Sequence, residues 1–189
     1  MKYEPLIPEQ YYHIYNCGNN KQDIFFEKRN YIYFLELMRQ YLATAADIYS
    51  YCLLKNHFHL LVRTKEKTDS KKISRSFSNL FNAYAKAINK GYKRTGSLFQ
   101  DRFQRKKIED EKYLKSLILY IHLNPEHHNF TDDFSSYEHS SFRSLISEKP
   151  TLLQRKEIFE LFHDRKNFIG VHYSRRTEVL EDTAELFLE

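Results

Sequence analysis

Apolar positions along the chain switch between strand and helix spacing, and the switches mark its elements. Between 11 and 17, β-branched and aromatic residues crowd together and stop at Gly18-Asn19-Asn20, which predicts a strand closed by a turn. From 27 to 46 the period lengthens: Tyr31, Phe34, Leu35, Met38, Tyr41, Leu42 and Ala45 keep helical spacing, as a helix with a wide buried stripe would. Segments 48–54 and 58–62 then read as strands joined tightly at Lys55-Asn56, and so as antiparallel neighbours. A second helix carries Ile73, Phe77, Leu80, Phe81, Tyr84 and Ile88 on one face, has Thr68 or Asp69 to cap its first turn, and ends near Gly91. After Thr95-Gly96-Ser97, the stretch 99–108 can run extended, and 110–123 reads as a third helix stopped by Pro125.

The order strand, helix, strand, strand, helix, strand, helix describes an α+β fold: a ferredoxin-like (RRM-like) antiparallel sheet with helices on one face. Beyond His128 the texture changes. Segment 129–139 is polar and turn-rich, and 156–168 predicts a short amphipathic helix in a loosely patterned tail. The expected division is a main domain over 1–128 and a C-terminal extension over 129–189.

With 189 residues, 41% of them hydrophobic, the chain can bury one core of ordinary size. No apolar run approaches the roughly 18 residues a membrane span needs, and positions 1–10 lack the basic start and apolar stretch of a secretory signal. A cytoplasmic protein without membrane attachment is expected, and Cys17 and Cys52 fit two thiols better than a disulfide. The net charge of +5 conceals an asymmetry: from 55 to 115 there are 17 Lys and Arg against 6 Asp and Glu, net +11, which leaves −6 for the rest. Such a localised positive field concentrates polyanions, of which phosphate backbones are the commonest. Any single lysine here can be a solvated surface residue, but Arg102, Arg105, Lys106 and Lys107 cluster just past a turn.

Candidate chemistry sits in Asn56-His57-Phe58-His59. Residues two apart in a strand share a face, so His57 and His59 present two imidazoles together while Phe58 turns away, a start on a divalent-metal site. In the third helix Tyr120 and Asn124 stand one turn apart, their directions differing by about 40°. A tyrosine hydroxyl with a pKa near 10 is a weak nucleophile at neutral pH and needs a neighbouring metal to polarise the phosphate it attacks. Asn124 offers an oxygen donor that can complete a mixed site for Mn2+ or Mg2+. The plainer alternatives are a core aromatic for Tyr120 and a helix-end residue for Asn124. His122, His127, His128 and His139 read as surface or structural residues.

Three blocks in order, Asn56-His57-Phe58-His59-Leu60-Leu61-Val62, then Gly96-Ser97-Leu98-Phe99-Gln100-Asp101-Arg102-Phe103, then Tyr113-Leu114 with Tyr120-Ile121-His122-Leu123-Asn124-Pro125, closely resemble the single-tyrosine HUH transposases. Within them the chain is similar to the REP-associated branch related to the smallest bacterial insertion sequences. The resemblance covers roughly 11–125, and Ser135-Ser136-Tyr137 is similar to the start of that branch's C-terminal extension. It implies that His57, His59 and Asn124 hold Mg2+ or Mn2+, and that Tyr120 forms a 5′-phosphotyrosyl link and releases a 3′-hydroxyl. The implied partner is single-stranded DNA bearing a hairpin or palindromic repeat, worked on at the nucleoid; the basic residues Arg102, Arg105, Lys106 and Lys107, with Lys55 near the metal, offer it phosphate contacts. Relatives include homodimers as well as monomers. The chain departs from the family at Leu54-Lys55 and at Glu126-His127-His128-Asn129, which bears on the strand turn and on DNA contacts at the helix end. A non-catalytic nucleic-acid-binding module and a water-using metal phosphodiesterase remain the alternatives.

Overall fold

The computed structural model describes residues 4–176. Positions 1–3 of the expected main domain and 177–189 of the expected extension lie outside them. Strands β1 (Tyr11–Cys17), β2 (Ala46–Leu53), β3 (His57–Thr64) and β4 (Gln104–Ile108) form an antiparallel sheet in the order β2-β3-β1-β4. Helices α1 (Lys28–Leu42) and α2 (Ser70–Gly91) cross one face. Their Phe34 and Phe81 rings pack against Phe58 of β3 at 5.2 and 5.1 Å. Asp69 caps α2 as expected, its carboxylate accepting from the Lys71 and Lys72 N–H groups at 3.0 and 2.9 Å.

The expected α+β ferredoxin-like sheet is present, and α1 and α2 share a face. Helix α3 (Glu111–His127) lies across the opposite face, together with α4 (Phe142–Ile146), α5 (Arg155–Leu161) and α6 (Arg165–Ser174). The core is thus two cores, one on each side of the sheet. Among the described residues no helix is long and apolar enough to cross a membrane, and Cys17 and Cys52 are free thiols.

Three expected boundaries differ from the observed ones. The extended stretch 99–108 becomes a strand only from Gln104 onward, with a lone bridge from Phe99 to Gly18 before it, because Leu98, Phe99 and Phe103 turn inward as apolar plugs of the α1–α2 core. Pro125 does not stop α3: it removes one ladder bond, but the helix continues through His127, and the His128 N–H donates to the Asn124 carbonyl at 3.0 Å. Segment 156–168 is not one helix but parts of α5 and α6, broken where His163 takes a φ of 71°.

Residues 117–125 of α3 are all buried, the mark of a helix covered on every side. Behind it runs a directed hydrogen-bond chain. His172 Nδ1 donates to the Phe168 carbonyl at 2.7 Å, so its Nε2 accepts from His122 Nδ1 at 2.8 Å. His122 Nε2 in turn accepts from the Ser141 hydroxyl at 2.7 Å, and that oxygen accepts from the Tyr51 N–H of β2 at 2.8 Å. The two links in which a ring Nε2 accepts require that imidazole to be neutral, so the chain as directed holds only with both uncharged. Burial pushes His122 well below the ordinary imidazole range, helped by His172 beside it, and burial holds His172 at about 4.

Two stability predictions follow from these contacts. A Cβ at Gly18 would lie 1.9 Å from the Gln22 carbonyl oxygen, so Gly18→Ala should cost about 1–3 kcal/mol in urea denaturation with the m-value unchanged. The histidine pair predicts acid sensitivity. Below a pH of about 6.5 the unfolded chain takes up protons that the folded chain refuses, so the pair's contribution is complete above that pH and is lost as pH falls toward 4. Stability should drop over that window by up to about 1.4 kcal/mol per pH unit for each histidine. In an NMR titration the His172 ring should stay neutral until near pH 4; a midpoint of about 6.5 would contradict the network.

Candidate functional site

One end of the sheet gathers the last residue of β1 and the first residues of β3 and β4, Cys17, His57 and Gln104. The β2–β3 turn at Lys55-Asn56 is pinned there. The Lys55 carbonyl accepts from the N–H groups of Ile24 and Phe25 at 2.7 and 2.9 Å, and the Asn56 carbonyl accepts from that of Gly18 at 2.7 Å. With the register thus fixed, strand alternation sends Phe58 into the α1–α2 core and turns His57 and His59 toward α3.

His57 is held at both ends of its ring. Nδ1 lies 2.8 Å from Asn56 Oδ1, and Nε2 lies 3.2 Å from Asn124 Oδ1. Both neighbours are amide oxygens, which only accept, and a neutral ring has one N–H to give; with that proton on Nδ1 toward the nearer oxygen, that of Asn56, Nε2 keeps its lone pair. That lone pair and the Asn124 oxygen face one another at the spacing of two neighbouring ligands of an octahedral ion, about 3 Å for bonds of about 2.1 Å. Asn124 is fully buried, and its Nδ2 has no hydrogen-bond partner among the described residues. A cation drawing on Oδ1 would give this amide a fixed orientation.

The His59 ring stands nearly perpendicular to that of His57, with centroids 5.2 Å apart, and the Tyr120 ring meets His59 edge-on at 5.5 Å. Tyr120, His57, His59 and Asn124 therefore come together, all four from one chain. Among the described residues no three His, Cys, Asp or Glu side chains converge in a metal-binding group. A cation here would depend on the Asn124 oxygen, which with two imidazoles makes a mixed nitrogen and oxygen donor set for a divalent ion.

Two more histidines belong to this neighbourhood. His13 of β1 lies against His59, with its Nε2 2.9 Å from His59 Nδ1. His128 stands edge-on to His57 at 4.8 Å. The spacing from Tyr120 through Asn124 to His128, four residues each time, was the available signal for His128. For His13 the sequence carries none, since its partner is 46 positions away. A cleft of about 590 Å³ opens beside His57, lined by Tyr15, Asn16, Gln100, Gln104 and His128 among others. One wall is the loop after Gly96, fastened where the Gln100 N–H donates to the Cys17 carbonyl and Asn16 Nδ2 donates to that of Asp101, both at 3.0 Å.

The basic residues singled out in the sequence do not form one patch. Lys106 pairs with His13 across the sheet and so shares the histidine face, its Nζ 4.9 Å from the centre of the Tyr113 ring. Arg105 and Lys107, its neighbours along β4, point the other way. Arg105 lies 4.1 Å over the Phe103 ring and Lys107 is paired with Glu109 at 3.5 Å. Exposed Arg102 precedes β4, and Lys55, paired with Asp23 at 3.2 Å, occupies the β2–β3 turn at the same end of the sheet.

Comparison with known proteins gives a consistent picture. A family model described as "Transposase IS200 like" matches residues 7–124. A solved structure of a REP-associated tyrosine transposase bound to a REP hairpin superposes with a TM-score of 0.65 at 16% identity, over 79% of this chain and 87% of that one. At that identity the likeness speaks for the fold. A second structure, of a Deinococcus radiodurans protein, gives a TM-score of 0.43 at 10% identity over 61% of this chain and 91% of that one, too distant to carry weight. No curated protein matches the chain in sequence.

Proposed function

The chain belongs to the IS200-like transposase family, and from that premise we propose that it cuts and rejoins single-stranded DNA through Tyr120. The observation that carries this reading is the meeting of Tyr120 with His59 and of Asn124 with His57 on one face of the sheet. The Tyr120 oxygen attacks the scissile phosphorus and gives up its phenolic proton. The bond from phosphorus to the 3′ oxygen breaks, and that oxygen takes up a proton to leave as a 3′-hydroxyl. The 5′ end stays on the enzyme as a phosphotyrosyl diester. Because one phosphodiester has been exchanged for another, a second 3′-hydroxyl can displace the tyrosine without ATP.

His57, His59 and Asn124 would hold the divalent ion, Mg2+ or Mn2+. When bound, that ion supplies the positive charge that polarises the scissile phosphate and favours ionisation of a phenol whose ordinary pKa is about 10. Edge-on packing against His59 and a helix covered on all sides keep the Tyr120 ring from swinging away.

Within the family we assign the chain to the REP-associated branch. Its substrate is then a hairpin-bearing or palindromic single strand at the nucleoid, in keeping with the likeness to a hairpin-bound relative. Residues 1–128 supply the nuclease and 129–189 an extension to it. Since one chain contributes all four groups, the site is complete in a monomer as well as in a homodimer. We assign phosphate contacts to Lys55, Arg102 and Lys106, and leave Arg105 and Lys107 to the far side of β4.

Incubated with Mn2+ and labelled hairpin oligonucleotides drawn from the gene's own flanks, the wild type should give a covalent adduct on a denaturing gel. Tyr120→Phe should give none, with cleavage lower by at least about 10³-fold. Undiminished cleavage by Tyr120→Phe would make the protein a water-using phosphodiesterase, and retention without cleavage would make it a binding module. In fluorescence anisotropy across a salt series, Lys106→Ala should weaken single-strand binding and reduce the salt slope by about one, whereas Arg105→Ala should leave the slope unchanged. Equal slopes for both variants would remove Lys106 from the interface.

A further inference from the structure

We propose that His13 is a positioning residue: by accepting a hydrogen bond from His59 Nδ1, it reserves His59 Nε2 for the metal. This rests on the reading of His57, His59 and Asn124 as a cation site. His13 sits on β1 beside β3, opposite Leu61 and therefore diagonal to His59, and it is fully buried. Its Nε2 is 2.9 Å from His59 Nδ1, the two rings are within 20° of parallel, and Tyr15 stacks on His13 at 4.6 Å.

Two neutral ring nitrogens at that distance can share a single proton. If His13 donates it, neutral His59 carries its own proton on Nε2 and cannot ligate there. If His59 donates, Nε2 keeps its lone pair. A proton on His57 Nδ1 toward the Asn56 oxygen gives the first ligand that second arrangement, and His13 accepting would impose the same protonation pattern on the second ligand. Metal-binding histidines ordinarily hand their other N–H to such a partner, and removing it typically weakens the metal about 10–100-fold. A neutral imidazole does this without burying a negative charge where an anionic phosphodiester must approach.

The test begins with the metal-free wild type. Nitrogen NMR of its labelled imidazoles should find the His59 proton on Nδ1; a proton on Nε2 would overturn the proposal whatever any variant does. Mn2+ affinity is then measured by calorimetry, with circular dichroism to confirm folding. His13→Phe keeps a stacked ring but loses the acceptor, and should bind Mn2+ about 10–100-fold more weakly. His13→Gln, which restores an acceptor oxygen, should return to within about threefold of wild type. Wild-type affinity in folded His13→Phe would overturn the role of His13 alone, as would a Gln variant no better than Phe. Failure of the wild type to bind Mn2+ would overturn the metal reading and this inference together.

Discussion

Strand β3 is buried on both faces, and the two-residue alternation of a strand therefore decides what each side of the sheet can be. On one side Phe58, Leu60 and Val62 anchor the α1–α2 core. On the other, His57 and His59 occupy places that an ordinary core would fill with aliphatic side chains. A slip of one residue would exchange the two sets and lose both. The carbonyls of Lys55 and Asn56 prevent it, tying the β2–β3 turn to the chain around Gly18 and Phe25. Buried imidazoles must in turn be satisfied, each unpaired polar group costing about 1–3 kcal/mol. The partners His57 has found, Asn56 and Asn124, hold its ring at both nitrogens.

The second half of the site depends on a helix whose middle, residues 117–125, is buried on every side. Helix α3 carries Tyr120 and Asn124 toward the sheet and His122 away from it, where His172 and Ser141 hold it. Because the Ser141 hydroxyl also takes the Tyr51 N–H of β2, the C-terminal helices are fastened to the helix and to the sheet edge at once. The position of the tyrosine is therefore coupled to the docking of residues far along the chain. Each large apolar side chain fully buried in this second core contributes roughly 1.5–3 kcal/mol to that docking.

Much of this was legible in the sequence. Alternation around His57 and His59, the turn at Lys55-Asn56, and the four-residue step from Tyr120 to Asn124 are local, and local spacing determines which side chains share a face. The face on which α3 lies is a tertiary outcome, and the apolar stripe reading of that helix did not reveal that its back is covered too. His13 looks like any strand residue until β1 and β3 are paired. The basic run on β4 is the instructive case. Arg105, Lys106 and Lys107 are adjacent in sequence and read as one cluster, yet the alternation that groups the histidines separates them. Pro125 shows the limit of a local breaker: buried packing on either side of Asn124 keeps the helix going past it.

The central claim is that the β3 histidines and the α3 amide form one cation site facing Tyr120. The most direct measurement is an anomalous-difference map from a crystal of the wild-type protein soaked in Mn2+. A single peak at about 2.2 Å from His57 Nε2, His59 Nε2 and Asn124 Oδ1 is predicted. A peak that lacks any one of these three atoms as a ligand, or a strong site elsewhere with none here, would contradict it.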